Sequence, residues 1–143
     1  MIAGKDFVGV GIGAMVRNEK GEILFLKRTE KCRNEAGKWN FPGGRLEFGE
    51  TQNEAVKREV LEETGLEVKI VRILKIIDHI IEEEGQHWFN PIYETKVVGG
   101  NLENMEPHKC NEIKWFSLDK LPENMTINLQ ELFKAVADGS IEL

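Results

Sequence analysis

Cysteine is scarce in this chain: Cys32 and Cys110 are the two it has among 143 residues. They could pair, but two isolated thiols with no short spacing look more like free cysteines of a reducing compartment than a disulfide framework, and they speak against a zinc site. No apolar run is long enough to span a bilayer. The opening stretch, MIAGKDFVGVGIGAM, lacks a charged start followed by a sustained apolar segment, so no secretory leader is expected and a cytoplasmic location is. Positive charge is in deficit. With 19 Lys and Arg against 25 Asp and Glu, the net charge of −6 argues against indiscriminate binding to a nucleic acid polymer or an anionic membrane. An anionic substrate would therefore need local cationic help. There is no G-x-x-x-x-G-K-[ST] sequence, which excludes a P-loop, and GVGIG (Gly9 to Gly13) lacks both the spacing and the following helix of a dinucleotide-binding turn.

What is present describes a single globular domain over residues 1–143, with 41% hydrophobic and 31% charged residues. A chain of this size buries roughly 70% of its unfolded surface, enough for a core without staples. Val8 to Val16 and Ile23 to Lys27 read as a hairpin turning at Lys20-Gly21. Arg28 to Lys38 is a polar loop. Trp39 to Phe41 is short and extended, and Pro42-Gly43-Gly44 breaks it. Thr51 and Glu54 form a capping box and Gly65-Leu66 a Schellman-type end, which predicts a helix over about Thr51 to Thr64. Val68 to Ile81 is expected to hold two strand segments, with a turn at Glu82 to Gln86. Trp88 to Val98 is expected as a strand interrupted near Pro91, then a loop from Gly99 to Asn111 and a short strand over Ile113 to Phe116. A second helix spans Asn128 to Gly139, with Asn128 and Glu131 as its capping box and Leu129, Leu132, Phe133 and Val136 as its apolar stripe. Strands flanked by two separate helices predict a layered α/β domain with a mixed sheet.

The first helix crowds Glu59, Glu62 and Glu63 within an arc of about 100° on the helical wheel, beside Val56 and Val60 rather than opposite them. In a plain surface helix, acids lie opposite the apolar stripe. Here they flank it, so some are held against the protein body. The bland reading is a solvated face, with Glu54 and Arg58 as an i,i+4 pair. The preceding loop changes the balance. Gly43 and Gly44 free the backbone to approach a ligand and to adopt positive φ, and Gly49 adds a third flexible point. Backbone carbonyls near carboxylates are hard oxygen ligands, suited to Mg²⁺ or Mn²⁺ rather than zinc.

The stretch GRLEFGETQNEAVKREVLEETGL resembles the Nudix box in full: Gly44, Glu50, Arg58-Glu59, Val60, Glu62-Glu63, Gly65 and Leu66 at the family's spacing. WNFPGG and EPHKCNEIKWFSLDKLP also look like this family. The resemblance implies an α/β/α sandwich and Mg²⁺-dependent hydrolysis of a nucleoside diphosphate linked to another group. It also implies that Glu59, Glu62 and Glu63 are metal ligands, with the Gly43 carbonyl an additional one, and that Arg58 orients the catalytic carboxylates. Glu50 would stabilise the loop–helix junction. An acid outside the box is common in the family, and Glu112 is the candidate here. Arg28 and Arg45 are expected to contact substrate phosphates. The expected substrate is a nucleoside or deoxynucleoside triphosphate, cleaved to monophosphate and pyrophosphate. ADP-ribose, cleaved to AMP and ribose 5-phosphate, is the alternative, and a non-catalytic nucleotide-binding module is a third. The nucleotide is the expected partner; a homodimer is common enough to consider. His79, His87 and His108 show no metal spacing. Trp39, Phe41, Trp88, Phe89 and Tyr93 are open between stacking on a base and sheet packing.

Overall fold

Alternation of small and apolar residues shapes the first strand. In the computed structural model, which describes all of residues Met1–Leu143, β1 (Gly9–Arg17) sends Ile12, Ala14 and Val16 to one face and Met15 to the other. Gly21, at φ +77°, turns the chain into β2 (Ile23–Arg28). Short strands β3 (Trp39–Asn40) and β4 (Gly43–Arg45) follow, then α1 (Gln52–Thr64), β5 (Leu66–Ile81), a 3₁₀ turn over Glu82–Glu84, β6 (Gln86–Gly100), β7 (Cys110–Phe116) and α2 (Ile127–Ala137). The seven strands form one mixed sheet with the path β3-β2-β1-β6-β5; β4 pairs with β1, and β7 pairs with β2. β1 and β6 run parallel; the other pairs are antiparallel.

The sheet separates two cores. On the α1 side Val56 and Val60 are fully buried against Ile12, Ala14, Val16, Val68 and Tyr93. Each such valine contributes roughly 1.5–3 kcal/mol by leaving water. Ala55, which lies in the acidic arc of the wheel, is also fully buried, so part of that arc faces the body of the protein. On the other side Leu129, Leu132 and Phe133 of α2 pack on Met15, Phe25, Phe41 and Ile77. Layers of helix, sheet and helix result, the expected α/β/α sandwich. Cys32 and Cys110 are free thiols, and no helix is long and apolar enough to cross a membrane.

Several local expectations are corrected. β5 is one strand, because register shifts at Glu67/Val68, Ile70/Arg72 and Ile73/Lys75 absorb its irregular pattern without ending it. β6 runs unbroken through Pro91, which sits opposite Ile76 where β1 pairing skips from Val10–Phe89 to Gly13–Ile92; the missing N–H costs no ladder bond there. The loop expected from Gly99 is shortened to residues 101–109. Gly43 and Gly44 do not break the chain but are extended in β4, and neither has positive φ; Gly49 does, at +86°. Gly65 caps α1 at φ +75°, with its N–H bonded to the Leu61 carbonyl, but the Leu66 N–H goes to Thr64 Oγ1 (3.1 Å), which replaces the second Schellman bond. α2 begins one residue earlier than expected and its cap is not Asn128. Thr126 is the N-cap by position, yet its hydroxyl donates to Asn40 Oδ1 (3.1 Å), and the first helical N–H, of Ile127, is taken by Glu35 Oε2 (2.7 Å) from a distant loop.

Candidate active site

Thr51 Oγ1 accepts the Glu54 N–H (3.2 Å) and starts α1 immediately after the β4 loop. That start sets the phase of every acid behind it. Arg58 ties helix to loop. Its Nε and Nη2 donate to the two oxygens of Glu50 (2.6 and 3.0 Å), Nη1 donates to Glu59 (2.8 Å) and Glu62 (3.3 Å), and Nη2 also reaches the Arg45 carbonyl (3.2 Å). The Glu54–Arg58 pair of the bland reading is not formed, since Glu50 offers a bidentate partner and Glu59 a further one. The hydrogen bond from Arg58 holds the Glu50 carboxyl below the usual range. Glu50 also accepts from the Glu47 N–H (3.1 Å), so it braces the loop–helix junction.

Two glycines allow close approach, Gly44 of a carboxylate and Gly43 of the β1 backbone. A Cβ on Gly44 would lie 2.3 Å from Glu59 Oε1, and one on Gly43 would lie 2.2 Å from the Ile12 carbonyl oxygen. Close approach, not positive φ, is why glycine is needed at both positions. Glu63 Oε2 accepts the Gly43 N–H (3.0 Å). Burial pushes the Glu63 carboxyl up to about 8, against the help of that hydrogen bond, and nearby Glu59 and Glu106 push the same way. Burial also raises Glu59, although Arg58 opposes it. Glu62 is the outlier, with 54% of its side chain exposed.

A cavity of about 220 Å³ opens beside Glu63 and is lined by Gly43, Lys27, Arg28, Glu106 and Lys109. A larger cleft of about 290 Å³ adjoins it, sharing Arg28, Asn40, Phe41 and Gly43, and reaches Arg45, His79, Trp88 and Asn128. Arg28 and Arg45 therefore both line the cleft, and Arg28 lines both spaces. The Arg28 Nε donates to the Asn34 carbonyl (3.1 Å), which aims the side chain. Glu112 does not join them: it is exposed on β7, paired with Lys27 across the strands, and lines neither space. The acid outside the box that faces Glu59 and Glu63 is Glu106, 3.6 Å from Lys109. Glu106, Lys109 and Lys27 were not singled out from sequence. The pattern EPHKC was the available signal, and it sits on a loop whose path no local rule predicts. His79 lines the cleft, while His87 lies on the other face near Lys5 and Phe7. Tyr93 is buried with its hydroxyl on Gln52, and Trp39 and Phe41 pack with Phe25, Phe116 and Phe133, so these aromatics serve the cores.

The donor set fits a hard divalent cation. Glu59, Glu63 and Glu106 bring like charge together, and the half-buried Glu63 has one hydrogen bond, from Gly43, to offset it. No group of three or more His, Cys, Asp or Glu side chains is gathered closely enough to hold a metal ion by itself. Mg²⁺ does not require one, because it keeps waters and substrate phosphates in its shell.

Comparison with known proteins identifies the family. Residues 8–136 match the family model described as the NUDIX domain. The chain is 33% identical over 112 residues to the 8-oxo-dGDP phosphatase NUDT18 of Mus musculus, covering 76% of this chain and 32% of that protein. It is 35% identical over 102 residues to the ADP-ribose pyrophosphatase of Methanocaldococcus jannaschii, covering 71% and 58%. The crystal structure of a MutT NUDIX hydrolase from Burkholderia pseudomallei superposes with a TM-score of 0.83 at 34% identity, over 92% of this chain and 99% of that one. The chain spans about a third of the length of the mouse relative.

Proposed function

Because the chain belongs to the Nudix hydrolase family, we propose that it hydrolyses a nucleotide pyrophosphate linkage with Mg²⁺, Mn²⁺ being an alternative. The proposed substrate is a nucleoside or deoxynucleoside triphosphate, which yields the monophosphate and pyrophosphate. The observation that carries this reading is the half-buried Glu63 carboxylate beside Glu59 and Glu106, at the wall of a cavity that also holds Lys27, Arg28 and Lys109.

Glu59, Glu62, Glu63 and the Gly43 carbonyl would hold the cation, with Glu106 in place of Glu112 as the acid from outside the box. A divalent ion so held neutralises phosphate oxygens, orients them and makes water a better nucleophile. The chain's own residues do the rest. Arg58 keeps Glu59 against Gly44 and stops it from swinging into solvent. Arg28 and Arg45 meet the phosphates. Water adds to phosphorus, the bridging P–O bond breaks, and the proton given up by water passes to a site carboxylate. The three cations of the smaller cavity favour a leaving group of high negative charge. Pyrophosphate carries more than ribose 5-phosphate, which favours a triphosphate substrate over ADP-ribose. ADP-ribose stays as the second reading because of the 35% identity to a protein named for that activity. All box carboxylates are present, which disfavours a non-catalytic module.

A nucleotide panel with Mg²⁺, with and without EDTA, tests the reading. Release of pyrophosphate from triphosphates, abolished by EDTA, is the expected result. Ribose 5-phosphate from ADP-ribose would select the second reading, and no phosphate product from any nucleotide would overturn both.

A further inference from the structure

Gly9, Gly11 and Gly13 alternate along β1, so β1 sends no side chains to the cleft face at these positions. Side chains of β6 lean into the room left. A Cβ on Gly9 would lie 2.4 Å from Trp88 Cζ3, and one on Gly11 would lie 2.2 Å from Asn90 Oδ1. The indole of Trp88 is held from three directions. Gly9 lies beneath it. Gly4, at φ +83°, closes in so tightly that a Cβ there would be 2.4 Å from Cε2 and Cζ2. Its Nε1 donates to Gln86 Oε1 (2.9 Å). The Gly4 turn is itself anchored, since its carbonyl accepts the His87 N–H (2.8 Å).

The other two tryptophans pack against a hydrophobic core, Trp39 on the α2 side and Trp115 on the α1 side; Trp88 joins neither. Its remaining surface lines the cleft of about 290 Å³, which Arg28, Gly43 and Arg45 also line. An indole fixed in orientation by glycine contacts, left out of both cores and only half-buried, presents to the cleft the part those contacts do not cover.

We propose that Trp88 is the platform on which the nucleobase stacks, with Gly4 and Gly9 as its backing, at the end of the cleft away from Glu63. This rests on the pyrophosphohydrolase reading and names how that site holds its substrate. Stacking is tolerant of sequence because every base has a π-face, and loss of one such contact is worth roughly 5- to 150-fold in affinity. Asn90, Asn40 and Asn128 in the same cleft offer hydrogen bonds to base edges.

The test compares a purine nucleoside triphosphate with the base-less ribose 5-triphosphate. Trp88→Ala should raise KM for the nucleotide by about 10-fold or more and leave KM for the base-less compound within about twofold. Trp88→Phe, which keeps an aromatic face, should return the nucleotide KM to within about threefold of wild type. Gly9→Ala, which must displace the ring, should act in the same direction as Trp88→Ala. Equal weakening of both substrates, or no effect on either, overturns the proposal, because a structural tryptophan would not distinguish them. Should the wild-type protein hydrolyse no nucleotide, the pyrophosphohydrolase reading fails by itself. Calorimetric binding of a purine nucleoside monophosphate against ribose 5-phosphate then decides the role of Trp88 without turnover: selective loss for the nucleotide in Trp88→Ala supports it, and equal loss overturns it.

Discussion

Glu63 combines the strongest burial in the site with a single backbone partner. Its folded-state carboxyl, near 8, stands above the ordinary 4.5, so the folded protein binds more protons than the unfolded chain between those values. Stability of the metal-free protein is therefore expected to fall as pH rises from about 4.5 toward about 8, and to level off above. Glu63→Gln should flatten that slope while keeping an acceptor for the Gly43 N–H, and added Mg²⁺ should reduce it in the wild type. Thermal unfolding across this range checks both. In activity, Glu63→Gln should lower turnover by at least ~10²-fold with Tm retained. Glu106→Gln should move turnover in the same direction and Glu112→Gln should not; wild-type turnover in Glu63→Gln would refute the assignment of that residue. The box acids were legible from sequence because helical spacing is local: once α1 forms, their angular relation follows. The choice between Glu106 and Glu112 was not, since both lie six residues apart on a loop and strand whose approach to α1 depends on the whole sheet.

At the level of elements, the two helices are capped in opposite ways. α1 carries its own cap in Thr51, visible three residues before Glu54. α2 is capped by Glu35, 92 residues away, while its own Thr126 serves Asn40. Glu35 adopts φ +51°, the one non-glycine residue with positive φ, to make that reach. The same loop is fastened at Asn34, whose side-chain amide, oriented nitrogen-first, donates to Glu84 (2.7 Å), and whose carbonyl aims Arg28. Glu35→Ala is expected to destabilise the protein by about 1 kcal/mol, in the range of a lost N-cap. It should also speed hydrogen exchange at the Ile127 amide, whereas Asn128→Ala should leave that amide protected. Exchange measured by NMR separates the two, and protection unchanged in Glu35→Ala would remove the capping role. A capping box read at Asn128 obeys every local rule. It is overridden because a charged acceptor from elsewhere satisfies the helix terminus first.

On the scale of the whole molecule, an acidic protein is proposed to handle an acidic substrate through a small cationic region, Lys27, Arg28, Arg45 and Lys109, set against a net charge of −6. Such a surface is proposed to disfavour a long polyanion. A 5′-triphosphorylated oligonucleotide is expected to be a poorer substrate than the matching nucleoside triphosphate, with kcat/KM lower by about tenfold or more. Comparable kcat/KM for the two would show that the overall charge does not exclude polymers.

The sequence by itself determined the layered α/β plan, the extent of α1 with its cap and glycine end, and the crowding of Glu59, Glu62 and Glu63. Each of these depends on hydrogen bonds and periodicities within a few residues. Only the tertiary structure decided that Gly43 is extended against the β1 backbone and Gly44 against the Glu59 carboxylate, that β5 and β6 run unbroken, that Glu106 and not Glu112 faces Glu59 and Glu63, and that Trp88 stands apart from both cores. These depend on which strands become neighbours, and a sheet brings together residues whose separation along the chain carries no local signal.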